Sequence, residues 1–206
     1  LHHPIDLIET GSYQTISRGY LAVNPAGLIP TLVHRGHPVY ESDDILAHLM
    51  TVAPAGASQL VPPDAGAARE MQDWLQFLAL SSSDPTGGAD VRAGACIAVL
   101  TLPLFNIAMQ RIRVWRVLEG LLFHPDKRRP LLFLVMKLSG VRMFRMKGFR
   151  ALVQQHRHFM VRHLQWIDAA LAGRMWLTGE CMSLADVSLA CLLLRLEEVG
   201  WLGQFT

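Results

Sequence analysis

Paired ligand and disulfide patterns are missing from this chain. Its three cysteines, Cys96, Cys181 and Cys191, show no CxxC spacing. An odd, unpatterned set in apolar surroundings reads as reduced, core-filling thiols of a reducing compartment. Nothing beside them would lower a thiol pKa, so none is a candidate catalyst. Histidines are present, but His156, His158 and His163 form no i,i+4 pair on the helix expected there. They read as solvated side chains, and no metal site is expected. A charged n-region is lacking too: the chain opens Leu1-His2-His3-Pro4 and is expected to start inside a longer protein. Charge is sparse, at 17% of residues with a net +2, and it selects no nucleic-acid partner.

Apolar residues are plentiful. They make up 51% of 206 residues, enough for one large core or two small ones and against disorder. Acidic residues are locally scarce: from Arg111 to Arg150, eleven Lys and Arg face only Glu119 and Asp126. That excess reads first as a solvated helix face, with an anionic surface or ligand as the other reading. The eighteen residues 93–110 carry no charge. Pro103, Asn106 and Gln110 argue for a buried helix broken at Pro103 over a membrane span.

Along the chain, residues 4–9 read as a strand and Ser17 as the cap of a short helix, 18–23. Residues 30–33 and 38–40, around the turn His34-Arg35-Gly36-His37, predict a hairpin. A helix follows over 43–50, with Ile45, Leu46 and Leu49 as its apolar face. Residues 53–66, rich in Pro, Gly and Ala, mark a linker. Beyond it the periodicity is helical throughout. Met71, Trp74, Leu75 and Leu78 share one stripe, and Val153 to Leu171 outlines a long helix ending at Gly173. Ser183-x-x-Asp186 predicts a capping box for a last helix, 184–199, with Met182 and Val187 as its staple. The fold class is thus α/β plus all-α. A strand–helix–hairpin–helix unit in residues 1–52 is followed by the linker and a helical domain, 67–206.

Two segments carry a resemblance. "NPAGLIPTLV…VYESDDI", from Asn24 to Ile45, resembles the NPxGxVPxL…ES-x-x-I signature of cytosolic glutathione transferases. "LTGECMSLADVSLA", from Leu177, is similar to that family's L-x-G-x-x-x-S-x-A-D segment. The resemblance implies a truncated thioredoxin-like N-terminal domain and an all-helical C-terminal bundle. It implies glutathione as co-substrate, a small hydrophobic electrophile, a homodimer, a cytoplasmic setting and a role in detoxification. The family's first strand and helix would precede residue 1, its last helix would follow Thr206, and its catalytic Tyr, Ser or Cys ends that first strand. The catalytic residue is therefore expected upstream; Ser12, Tyr13 and Ser17 follow the second strand and are not candidates. The stretch 102–150 resembles the insertion of bacterial dehalogenase-like transferases and of the ganglioside-induced differentiation-associated proteins.

The same resemblance assigns a glutathione clamp. A cis Ile29-Pro30 bond would turn the Ile29 N–H and C=O toward the cysteinyl backbone of the peptide. Ser42, at a helix start, would receive the γ-glutamyl carboxylate, and Glu41 the ammonium beside it. Leu28 departs from the family, where Gln is common. Trp74, Phe77 and Trp115 are candidates for a hydrophobic-substrate pocket, each equally readable as a core aromatic. Three functions fit: a conjugating transferase, a glutathione-dependent reductive dehalogenase or ether-cleaving enzyme, and a non-catalytic module of the same fold. A membrane-surface partner belongs to the last and is not favoured by the sequence.

Overall fold

The computed structural model describes residues 2–7, 9–54, 60–79 and 88–205. In chain order the elements are α1 (Arg18–Leu21), β1 (Thr31–His34), β2 (His37–Tyr40), α2 (Ser42–Val52) and α3 (Ala65–Leu78). They continue with α4 (Ala93–Leu100), α5 (Leu102–Arg111), α6 (Val114–Phe123), α7 (Arg128–Ser139), α8 (Lys147–Leu171) and α9 (Leu184–Glu198). Short 3-10 turns occupy Gln14–Ile16, Gly140–Arg145 and Leu202–Gln204. The chain forms two compact units, residues 1–45 with 103–149, and residues 46–102 with 150–206. The sequence reading put 103–149 with the helical domain; this segment packs with the first 45 residues. Part of the expected linker, residues 55–59, lies outside the described residues, and its end already belongs to α3, where the Asp64 carboxylate accepts from the Ala67 N–H at 2.8 Å.

In the first unit the hairpin forms as expected, pairing Thr31 with Tyr40 and His34 with His37. Arg35 and Gly36 both take positive φ, 52° and 83°. That geometry matches the twist of a two-residue hairpin loop, and glycine adopts it without a Cβ penalty. The strand expected over residues 4–9 does not form; among the described residues the sheet has two strands. Alternating apolar residues supply a face, but a strand also needs a neighbour for its backbone groups. Here the carbonyls of Asp6 and Leu7 accept instead from the N–H groups of Gln14 (2.8 Å) and Tyr13 (3.1 Å). Ser17 does cap α1, its hydroxyl accepting from the Tyr20 N–H at 3.2 Å.

The core of this unit is shared between its two stretches of sequence. Ile16, Met109, Val117 and Met136 are fully buried. Tyr13 stands edge-on to Phe133, ring centres 5.4 Å apart. At Gly120 of α6 a Cβ would lie 3.1 Å from Ile16 and 3.3 Å from Pro130, so a side chain there would push the turn and α7 away.

In the second unit the stripe Met71, Trp74, Leu75 and Leu78 is buried, together with Cys96, Ile97 and Leu100 of α4, Met160 and Ile167 of α8, and Leu184, Leu192 and Leu196 of α9. The apolar run breaks as expected, but at Thr101, and Pro103 sits in the first turn of α5, where its missing N–H costs nothing. Among the described residues no single helix is long and apolar enough to cross a membrane. α4 meets the end of α3 backbone to backbone: a Cβ on Gly94 would lie 2.1 Å from the Ala79 carbonyl oxygen.

Two readings are corrected here. His156 and His163 are not solvated; with Met160 and Ile167 they form the buried stripe of α8. Their spacing of i, i+4, i+7, i+11 is the helical one. Each ring bonds one carbonyl, His163 Nε2 on Ala89 at 2.8 Å and His156 Nδ1 on Leu152 at 2.8 Å, while the buried Nε2 of His156 has no partner among the described residues. Burial lowers the pKa of His163 from the ordinary histidine value. Of the cysteines only Cys96 fills the core, while Cys181 and Cys191 are exposed. Burial pushes the Cys96 thiol up to about 12, and its S–H donates to the Ala89 carbonyl at 2.9 Å.

The capping box is present. The Asp186 carboxylate accepts from the Ser183 N–H and hydroxyl, both at 2.8 Å, and from the Leu177 N–H at 2.9 Å. Asp186→Ala is expected to lower stability by about 2 kcal/mol, the cost of a lost cap plus an orphaned loop N–H. Denaturant unfolding of the two proteins reads the difference.

Candidate functional site

The hairpin register gathers four residues from two stretches. Thr31 pairs with Tyr40 at the open end of the ladder. Ile29 and Pro30 lead directly into Thr31, and Glu41 and Ser42 follow directly from Tyr40. All four are exposed at that end. The Ile29–Pro30 bond is cis, as expected. Among the described residues no hydrogen bond uses the Ile29 N–H or C=O. Ser42 opens α2, and the Glu41 carbonyl accepts the first helical bond, from the Ile45 N–H at 2.9 Å.

Glu41 is the unusual member. Its φ of 74° is left-handed, a conformation that costs a residue with a Cβ about 1–2 kcal/mol. The strain holds its carboxylate at the corner between strand and helix. Partial burial raises its pKa from the ordinary value; Asp44 and Asp43 raise it further, and Arg129 opposes them. Three carboxylates at one helix start make a corner that attracts a cationic group.

What holds this end in place was not foreseen. Asn24 is fully buried. Its side-chain amide donates to the Leu28 carbonyl at 2.9 Å and to the Thr31 hydroxyl at 3.0 Å, and its oxygen accepts from the Ala26 N–H at 3.0 Å. The Tyr20 hydroxyl donates to the Leu28 carbonyl at 2.6 Å and lies 2.8 Å from the Thr31 hydroxyl. The Ala26 carbonyl is gripped from the other stretch of the unit, by Arg129 Nη1 at 2.6 Å and by His124 Nε2 at 3.3 Å. His124 Nδ1 accepts from the Asp126 N–H at 3.0 Å, which fixes the Nε2–H tautomer. An Asn before a Pro-Gly turn is a readable signal for such a brace. His124 and Arg129 gave none, being about a hundred residues away.

The three aromatic candidates belong to different units. Trp74 and Phe77 are core residues of the second unit, ring centres 5.7 Å apart. Trp166 stacks on Trp74 at 4.5 Å. A cavity of about 420 Å³ beside them is lined also by Glu70, Asp73 and Arg174, so it is not an apolar slot. Trp115 belongs to the first unit, half exposed, with the Arg116 guanidinium 4.2 Å over its ring.

Asn24→Ala is expected to destabilise the chain by about 2–3 kcal/mol, since three buried hydrogen bonds go and the Ala26 N–H is left unpaired. Equilibrium urea unfolding measures it. A pH dependence follows from His124. Burial, aided by Arg129 and opposed by the bond to Ala26, lowers its pKa from the ordinary value. The folded chain therefore binds this proton less readily than the unfolded chain. Its contribution is complete above about pH 6.5 and is lost as pH falls below that value. Urea midpoints should drop on acidification, and His124→Gln should flatten part of the drop, His163 supplying another part.

Three comparisons bear on these residues. The family profile described as "Glutathione S-transferase, N-terminal domain" matches residues 1–52. No curated protein matches the chain. Among solved structures, the chain is similar to the β-etherase LigF from Sphingobium sp. strain SYK-6, with 18% sequence identity and a TM-score of 0.75, over 97% of this chain and 75% of that one. Residues 1–52 match the N-terminal domain of the glutathione S-transferases, and the chain shares its fold with that solved structure over nearly its whole length.

Proposed function

We propose that the chain belongs to a glutathione-dependent enzyme that transfers the glutathione thiolate to a hydrophobic electrophile. The observation that carries this reading is the convergence of Ile29, Pro30, Glu41 and Ser42 at the open end of the hairpin, with the Ile29 backbone groups available to a ligand. Such groups pair with an extended peptide as an added strand does. The Ser42 N–H and hydroxyl at the start of α2 suit the γ-glutamyl carboxylate, with the helix dipole favouring the negative charge. Glu41, in its acidic corner, suits the ammonium on the same carbon. Leu28 contributes its backbone carbonyl to the brace and no side-chain bond to the ligand.

The chemistry is a displacement. The glutathione sulfur, as thiolate, forms a bond to an electrophilic carbon, and the leaving group departs with the electron pair of the bond that breaks. No residue of residues 1–206 is assigned as the group that stabilises the thiolate. One observation favours a narrower reading: the fold is shared with a β-etherase. In an ether cleavage the carbon–oxygen bond breaks, the alkoxide or phenolate leaves, and solvent protonates it.

Calorimetric titration of the chain with glutathione tests the clamp. Ser42→Ala is expected to weaken binding by about 1–3 kcal/mol, the cost of leaving a charged group short of one partner. Unchanged affinity would place the carboxylate elsewhere, and no heat for either protein would remove the clamp altogether. Product analysis with an aryl ether and with an aryl halide, glutathione being present in both, separates ether cleavage from conjugation.

A further inference from the structure

α7 is apolar on two opposite faces. Pro130, Phe133 and Met136 are buried in the first unit. At 100° per residue, Leu131, Val135 and Leu138 fall on the other side, and all three are exposed, Leu138 to 79%. The row continues past the helix end, where Val141 and Met146 are 60% and 63% exposed. Arg142, Arg145 and Lys147 alternate with them, all exposed. None of the three has an acidic partner among the described residues. Phe144 and Phe149, edge to face at 4.8 Å, pin this turn.

The wider segment repeats the pattern. Among the described residues, 103–149 hold thirteen of twenty-five exposed large apolar side chains. They also hold ten Lys and Arg against two acids. Both acids are engaged, Glu119 by Arg116 and by the Arg18 N–H, Asp126 by the Arg128 N–H. The sequence read this stretch first as a solvated polar face, and the exposed leucines of α7 do not fit that reading.

Scattered exposed apolar residues need no partner, but a contiguous row fringed by unneutralised cations does. Its occupant must be apolar and anionic together. A second copy across a two-fold axis would set Arg142, Arg145 and Lys147 against their own equivalents. An anionic bilayer offers hydrocarbon directly beneath a sheet of negative headgroups. We propose that the outer face of α7 and the turn 140–147 dock on an anionic phospholipid membrane surface. Leu131, Val135, Leu138 and Val141 enter the acyl boundary, and Arg142, Arg145 and Lys147 meet the phosphates. The chain lies on the bilayer without spanning it. This docking does not depend on the proposed chemistry.

Cosedimentation of the whole chain with vesicles tests it, using phosphatidylcholine alone and phosphatidylcholine mixed with phosphatidylglycerol. Binding is expected only to the mixed vesicles and should fall steeply as salt rises. Arg142→Glu with Arg145→Glu should reduce it at least about tenfold, each cation near such a surface being worth roughly fivefold. Leu138→Gln with Val141→Gln, both at exposed positions, should also weaken it, and thermal melts at the wild-type temperature show that both variants stay folded. The proposal is overturned if mixed vesicles fail to sediment the chain, or if neither pair of substitutions changes the binding. It is equally overturned if the free chain is a dimer that Leu138→Gln dissociates, since a second copy would then own the face.

Discussion

The geometry of the loop that leads into the hairpin depends on one carbonyl. The Ala26 oxygen takes the Arg129 guanidinium at 2.6 Å and the His124 ring at 3.3 Å. A two-stranded hairpin is marginal by itself and cannot fix the loop that feeds it. The loop is fixed from the far stretch of the same unit, by helices α6 and α7. Ser12 is held in the same way, its carbonyl accepting from Arg116 at 2.7 Å. Together with Gly120 under Ile16, these contacts make residues 103–149 structural for the first 45 residues.

Once the loop is fixed, its inner bracing and its outer chemistry separate cleanly. The inward side of residues 24–31 spends its polar groups on itself, through Asn24, Tyr20 and Thr31. The outward side leaves the Ile29 N–H and C=O without a hydrogen bond among the described residues. A buried amide with three bonds rigidifies more than an apolar residue of the same size would, because any shift leaves a group unpaired. Glu41 carries the opposite kind of constraint, a strained backbone and two acidic neighbours on an exposed corner. Strain of this sort persists only where the surroundings over-determine it, here a strand end and a helix start joined without a spacer.

Local rules made much of this legible in the sequence. The hairpin, its turn, the Ser17 and Ser183 caps, the α3 stripe and the break before Pro103 all follow from residues within a few positions of one another. The candidate residues Ile29, Pro30, Glu41 and Ser42 came instead from a family signature confined to the same stretch, and of what that signature implied the structure shows the cis Ile29–Pro30 bond. What failed was long-range. Residues 4–9 have the alternation of a strand, but alternation does not say whether a partner strand is there. His156 and His163 look polar, and only a carbonyl such as that of Ala89, distant in sequence, makes burying the second possible. Nothing in the spacing of 103–149 reveals that it returns to the first 45 residues, because the contacts are single pairs about a hundred positions apart.

The contrast among the cysteines decides where an alkylating reagent can act on this chain. Alkylation requires the thiolate, and Cys96, with its pKa near 12 and its S–H tied to the Ala89 carbonyl, presents almost none at neutral pH. Its interior thiol is thereby protected from alkylating reagents. Cys181 and Cys191 lie at the surface, where a bulky modification would leave the core unopened.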